Sequence, residues 1–228
     1  MLHDTPLHLL GLLSNGNIHS HIDHSVAIIR HAFQSGIRRC YLHALLDGRD
    51  VGVQAALDFT EPFEQLFSEL KSQRAEIDYA FASGGGREVV TMDRDHNWEK
   101  VEAGWKIHVK GDAENRFPSI RNAIEHFRKL DPEIIDQDIP GFVIVRNGEA
   151  VAKIEDQHAL IFTNFRSDRA SEFSEAMLVD DFPHFERKAR PKVMFAGMTQ
   201  YDQDNEIPPD FLAGTPEVED PFGKRILE

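Results

Sequence analysis

The chain has 228 residues, is 41% hydrophobic and 28% charged, and carries a formal net charge of −14, enough for a sizeable core of ordinary globular composition. A strongly acidic chain is a poor partner for nucleic acid or an anionic membrane, so any anionic ligand would need a local cluster of arginines. No apolar run approaches the roughly 20 residues of a membrane span, His3 and Asp4 follow Met1 where a signal peptide would turn basic and apolar, and the single Cys40 has no partner for a disulfide, which together predict a cytoplasmic setting.

In chain order, Leu7 to Leu13 is an apolar run that reads as a strand buried on both faces, turned by Asn15, Gly16 and Asn17. Apolar residues at 22, 26, 28, 29 and 33 share one helical face over 22–34, and Gly36 stops the helix. Ile37 to Leu46 predicts a second strand with a turn at Asp47-Gly48. Helical spacing follows over Val53 to Leu70, interrupted at Pro62. Ile77 to Ala82 predicts a short third strand, and the three glycines of Ser83 to Arg87 read as a loop, either a flexible turn or a place where backbone N–H groups approach a ligand. Helices are expected over Trp98 to Val109 and Ser119 to Leu130, an acidic connector over 131–140, and a strand at Phe142 to Val145 with an Asn147-Gly148 hairpin turn. The stretch 110–150 reads as an excursion. Ala159 to Phe165 is another buried strand, Arg169 to Leu178 a helix and Lys192 to Met198 a last strand. Strands alternating with helices predict an α/β fold, with a mainly parallel central sheet and helices on both faces.

Polar residues cluster after the apolar runs, where open α/β sheets bind ligands. His19-Ser20-His21-Ile22-Asp23-His24 has the H-x-H-x-D-H form of zinc hydrolases, whose imidazoles and carboxylate suit that metal. Yet that fold needs long β-strands ahead of the motif, and Asp23 and His24 can equally cover a helix start. Arg49, Arg94, Arg166 and Arg169 each follow an apolar strand or a glycine-rich loop. Gathered at one sheet edge, they would hold a multiply charged anion through planar donor forks that lysine lacks. Taken singly, each could instead pair with Asp50, Asp93, Asp95 or Asp168 in surface salt bridges.

The blocks GLLSNGNIHSHIDH, LHALLDGRDV, ASGGGREVVTMDRD followed by NW, FTNFRSDRA and AGMTQYD, in this order, closely resemble the inserted substrate-binding domain of cofactor-independent (2,3-bisphosphoglycerate-independent) phosphoglycerate mutases, with GGGR most like the plant and trypanosomatid form. The resemblance spans nearly the whole chain. It implies a two-domain enzyme interconverting 3-phosphoglycerate and 2-phosphoglycerate in glycolysis and gluconeogenesis through a phosphoserine. Residues 1–204 would be the substrate-binding domain and 205–228 a return linker towards a missing metal-binding, phosphatase-like domain present in cis or in trans. That domain would hold two manganese ions and the serine nucleophile, with neither bound by this chain. By motif, Arg94, Arg166 and Arg169 would bind phosphate or carboxylate, and His19, Arg49 and Asp50 would face the glycerate, with Asp50 the general acid/base. Arg87 transfers least securely, because its loop differs in length from the common bacterial form. Two other readings remain: a stand-alone module that binds phosphorylated carboxylic acids, and a zinc hydrolase using His19, His21, Asp23 and His24.

Overall fold

The structure is a computed structural model that describes residues 4–214. Nine strands form one sheet in the order β4-β5-β3-β2-β1-β7-β8-β9, with the short β6 paired to β5. The strands are β1 (Leu7–Leu13), β2 (Arg39–Leu46), β3 (Asp78–Gly86), β4 (Arg116–Phe117), β5 (Phe142–Arg146), β6 (Glu149–Ala150), β7 (Ala159–Phe162), β8 (Met194–Gly197) and β9 (Asp210–Phe211). The helices are α1 (Ile22–Gln34), α2 (Ala56–Gln73), α3 (Trp98–Gly104, running on into a π turn at Trp105–Val109), α4 (Ile120–Leu130) and α5 (Ser171–Leu178). β5 runs antiparallel to both β3 and β6; the ladders β1/β2, β2/β3, β1/β7, β7/β8, β8/β9 and β4/β5 are parallel.

Alternation along β1 and β2 builds two cores. Leu9, Leu13, Leu42 and Leu46 meet Ile29 of α1, Phe63 and Leu66 of α2 and Ile124 of α4 on one face, while Leu10, Leu12 and Leu45 meet Val101 of α3, Trp105 and Phe173 of α5 on the other. Every residue of β1 after Leu7 is buried, which is why its run is uninterruptedly apolar apart from His8 and Gly11.

Four expectations need correction. Pro62 lies inside α2 without ending it, because Phe59, Phe63, Leu66, Phe67 and Leu70 bury one continuous stripe on either side of the lost hydrogen bond. The glycines 84–86 form no turn: they extend β3, in register with Ala44 to Leu46. Bare backbone is needed there, since a Cβ on Gly86 would stand 2.1 Å from the Gln137 carbonyl oxygen. Residues 110–150 are no excursion, because β4 and β5 continue the main sheet and α4 covers it. Finally, Lys192 to Met198 does not supply the last strand; Asp210–Phe211 adds one beyond it, within the stretch expected as linker, of which 215–228 lies outside the described residues.

A file of polar side chains crosses the second core. His158 Nδ1 lies 3.0 Å from His8 Nε2, His8 Nδ1 2.9 Å from His43 Nε2, His43 Nδ1 2.7 Å from Ser83 Oγ, Ser83 Oγ 2.7 Å from His108 Nδ1, and His108 Nε2 3.0 Å from Thr91 Oγ1. The Glu155 amide donates to His158 Nδ1 at 3.3 Å, so that nitrogen carries no proton, and the polarity of the whole file follows. His8 Nε2–H donates to His158, His43 Nε2–H to His8, the Ser83 hydroxyl to His43, His108 Nδ1–H to Ser83, and the Thr91 hydroxyl to His108. The His8, His43 and His108 rings are each a single donor and a single acceptor, so neutrality satisfies the file and protonation breaks it.

Burial accordingly lowers the pKa of His8, His43 and His108, the last to about 3. Folded values below the ordinary 6.5 mean that the stability these residues permit is full above that pH and is lost as pH falls towards the folded values, where the unfolded chain binds protons the folded chain refuses. We expect urea denaturation to show a steep loss of stability from pH 6.5 downward, each histidine adding about 1.4 kcal/mol per pH unit, and a shallower slope in His108→Gln. An unchanged slope would remove His108 as a contributor.

Candidate active site

β1 sits between β2 and β7, so the chain leaves β1 through α1 to one side of the sheet and leaves β7 through α5 to the other. The connections diverge at the carboxyl ends of β1 and β7 and open a crevice there. His19 stands on the first connection and Arg166 on the second. The backbone ties them, with the Phe165 amide donating to the His19 carbonyl at 2.8 Å. Asn164 Oδ1 accepts from Leu12 N at 2.9 Å, and the Tyr201 hydroxyl lies 2.9 and 2.7 Å from the carbonyl oxygens of Phe162 and Asn164. Tyr201, from the AGMTQYD block, thus props the β7 end from behind.

Arg87, at the end of β3, is buried, and one nitrogen, Nη1, lies 2.7 Å from Asp47 Oδ1 and 2.6 Å from Asp50 Oδ2. Asp47 Oδ1 also accepts from the amides of Arg49 and Asp50 at 3.3 and 3.1 Å, closing the turn that presents Asp50. Gly16 lets the first connection approach this turn, since a Cβ there would stand 2.7 Å from the Asp50 carbonyl oxygen. Burial opposes the charge on Arg87, but its bonds to Asp50 and Asp47 outweigh that and raise its pKa.

Asp168 has Arg166 at 3.0 Å and Arg94 at 3.6 Å as cationic partners, and His19 Nδ1 stands 3.6 Å away. His19 is held neutral, its pKa lowered to about 4 by burial first and then by Arg87, against the opposing pull of Asp168 and Asp50. Arg169 is buried; its Nη1 donates to the Met92 carbonyl at 3.2 Å and stands 3.2 Å from Glu88. Glu88 also meets Arg49 and Lys100, each at 3.5 Å. Lys100 reaches Asp93 at 3.2 Å, and Asp93 accepts from the amides of Asp95 and Asn97 at 2.9 and 2.7 Å, which shapes the loop bearing Arg94. Burial opposes ionisation of Asp93, but those amides and Lys100 outweigh it and lower its pKa.

All seven residues singled out from the sequence, His19, Arg49, Asp50, Arg87, Arg94, Arg166 and Arg169, therefore enter one linked cluster. The arginines are engaged by carboxylates, but only Arg166 pairs with a carboxylate close by in sequence. Sequence reasoning missed Asp47, Glu88 and Lys100. Asp47 and Glu88 directly flank named motif residues, whereas Lys100 lies in a helix with no signal of its own. The zinc arrangement does not form: His21 accepts from the Asp23 amide as the cap of α1, His24 meets Phe165 edge-on at 5.9 Å, and among the described residues no group of three or more His, Cys, Asp or Glu side chains could hold a metal ion.

Comparison with known proteins gives a match to the family model described as BPG-independent PGAM N-terminus over residues 2–203. A probable 2,3-bisphosphoglycerate-independent phosphoglycerate mutase of Leptospira interrogans (strain Fiocruz L1-130) is 47% identical over 97% of the chain and 40% of its own length. The 2,3-bisphosphoglycerate-independent phosphoglycerate mutase of Trypanosoma brucei brucei is 42% identical over 93% of the chain and 38% of its own. A crystal structure of Leishmania mexicana phosphoglycerate mutase, determined at low cobalt concentration, superposes with a TM-score of 0.90 at 42% identity, over 94% of this chain and 39% of that one. The chain thus spans about 40% of the length of the curated relatives it matches.

Arg87→Met should cost about 3–5 kcal/mol in urea denaturation, because Asp47 stays buried without its partner. Adding Asp47→Asn should restore much of the loss, since the uncompensated charge is then gone. A single variant as stable as the wild type would mean that this pair does not hold the turn.

Proposed function

The chain belongs to the BPG-independent phosphoglycerate mutase family, and on that premise we propose that it is the portion of such an enzyme that holds the glycerate and its phosphoryl group during interconversion of 3-phosphoglycerate and 2-phosphoglycerate. The observation that carries this reading is the convergence of Arg49, Arg87, Arg94, Arg166, Arg169 and Lys100 at one crevice of a chain whose net charge is −14. A ligand with a dianionic phosphate and a carboxylate is the chemistry such a cluster recognises.

In this reading Arg94 and Arg166 take one anionic group from the exposed side and Arg169 the other from below. Neutral His19 hydrogen-bonds a glycerate oxygen. Asp50 accepts the proton of the hydroxyl that becomes phosphorylated and returns one to the oxygen that is released, from a position set by Arg87. Holding both hydroxyls of one small molecule near a fixed proton carrier supplies orientation. The phosphoryl acceptor is proposed to be a serine of a metal-binding, phosphatase-like domain in cis or in trans, with two manganese ions supplying Lewis-acid charge there. The donor set of the described residues does not fit those ions, so no step on this chain runs through them. The reaction belongs to glycolysis and gluconeogenesis, for which we propose a cytoplasmic setting; no helix among the described residues is long and apolar enough to cross a membrane.

Calorimetric titration with 3-phosphoglycerate tests the binding half. Arg169→Ala should weaken binding by roughly 2–5 kcal/mol, as expected when one partner of a buried charge pair is removed; the more exposed Arg166 should cost less. Unchanged affinity in both would return these residues to mere salt bridges. An enolase-coupled assay tests the other half: this 228-residue chain with manganese added should bind phosphoglycerate without converting it. Turnover above a mock-purified control, lost on Asp50→Ala, would place a whole active site on this chain.

A further inference from the structure

Glu88 is a carboxylate in the middle of the cations. It follows Arg87 on the turn out of β3, with its backbone pinned by an amide hydrogen bond of 3.0 Å to the Gln137 carbonyl. Its side chain, 24% exposed, reaches Arg49 from the turn after β2, Lys100 from α3 and Arg169 from the helical turn Ser167–Arg169. Three cations from three elements surround one carboxylate.

The distances separate it from the structural ion pair next door. Arg87 meets Asp50 and Asp47 at 2.6 and 2.7 Å, within the range of charge-assisted hydrogen bonds, whereas the contacts of Glu88 lie at 3.2, 3.5 and 3.5 Å. The first pair is clamped, and the second is held mainly by the local field. Arg169 and Lys100 also have other partners, the Met92 carbonyl and Asp93, so they keep an anchor if Glu88 turns away. Because the backbone is fixed, such a turn is a side-chain rotation into the solvent already at its edge.

We propose that Glu88 is an internal counter-ion that occupies an oxyanion position between Arg49, Lys100 and Arg169, and that the incoming ligand's phosphate or carboxylate displaces it. Glu88 then sets the affinity of the site: a ligand must offer more than the single charge it replaces, which favours a dianionic phosphate over a simple carboxylic acid. The inference rests on the phosphoglycerate reading only for the identity of the ligand; the displacement itself requires an oxyanion alone.

The test is calorimetric titration of the 228-residue chain, as wild type, Glu88→Gln and Glu88→Asp, with inorganic phosphate and with 3-phosphoglycerate, at low and at physiological ionic strength. Glu88→Gln should bind both anions roughly tenfold tighter at low salt, since a competing charge in a partly exposed site is removed, and should lose more of that affinity as salt is added, because the site is one charge more positive. Glu88→Asp, which keeps the charge, should stay within a few-fold of the wild type. Phosphate binding that is unchanged or weaker in Glu88→Gln overturns the proposal, as does equal tightening in Glu88→Asp, which would make side-chain length rather than charge the cause. Phosphate tightening as expected while 3-phosphoglycerate binds none of the three proteins supports Glu88 as the internal counter-ion and overturns the substrate reading instead.

Discussion

The guanidinium of Arg87, buried between Asp47 and Asp50, is the contact on which the geometry of the crevice depends. A buried cation is costly unless its partners are close and well oriented. Here the partners sit on the turn after β2 while the arginine ends β3, so satisfying the charge fixes two neighbouring strand ends against each other. The Arg87 amide adds a bond of 3.0 Å to the Leu46 carbonyl. Asp47, held by the arginine, shapes the turn that presents Asp50, and Asp50 in turn has Gly16 of the first connection against its backbone. One ion pair thus positions the ends of three strands and the group proposed to carry the proton.

Charge compensation runs outward from that pair in layers. Arg87 is buried and clamped; Arg169 and Lys100 are mostly covered and shared between backbone or Asp93 on one side and Glu88 on the other; Arg49, Arg94 and Arg166 are half-exposed and held by contacts of 3.0 to 3.6 Å. Exposure therefore rises towards the mouth of the crevice. This gradient reconciles a chain of strongly negative charge with a site for anions: every site cation is matched by a carboxylate, but the outermost pairs are open to solvent where a ligand would enter.

The histidine file is a second polar system and serves the core rather than the crevice. It lies on the side of the sheet covered by α3 and α5, joins β1, β2, β3 and the π turn, and ends at Thr91, two residues before Asp93. Neutral imidazoles satisfy one another there without counter-ions, at the expense of tolerance to acid.

Much of this was legible in the sequence for one reason: apolar periodicity is a local property. The bounds of β1 and α1, the hairpin at Asn147-Gly148 and the α/β class follow from neighbouring side chains, and position after apolar runs singles out Arg49, Arg94, Arg166 and Arg169, whereas His19, Asp50 and Arg87 come from the family resemblance of the ordered motifs. What the sequence alone could not decide depends on chain segments far apart. Ser83 to Gly86 extends as strand by pairing with His43 to Leu46 of β2, with Phe142, Gly141 and Gln137 too close to its glycines for a side chain, and β5 closes beside β3 in the opposite direction, which no local pattern encodes. Glu88 pairs with Arg49 and Arg169, 39 and 81 positions away, rather than with the buried arginine beside it. Both Arg87 and Glu88 lie in the turn that follows β3, so the partner of each charge is set by the distant segments that the turn meets, and with it the difference between a clamped ion pair and one that a ligand can open.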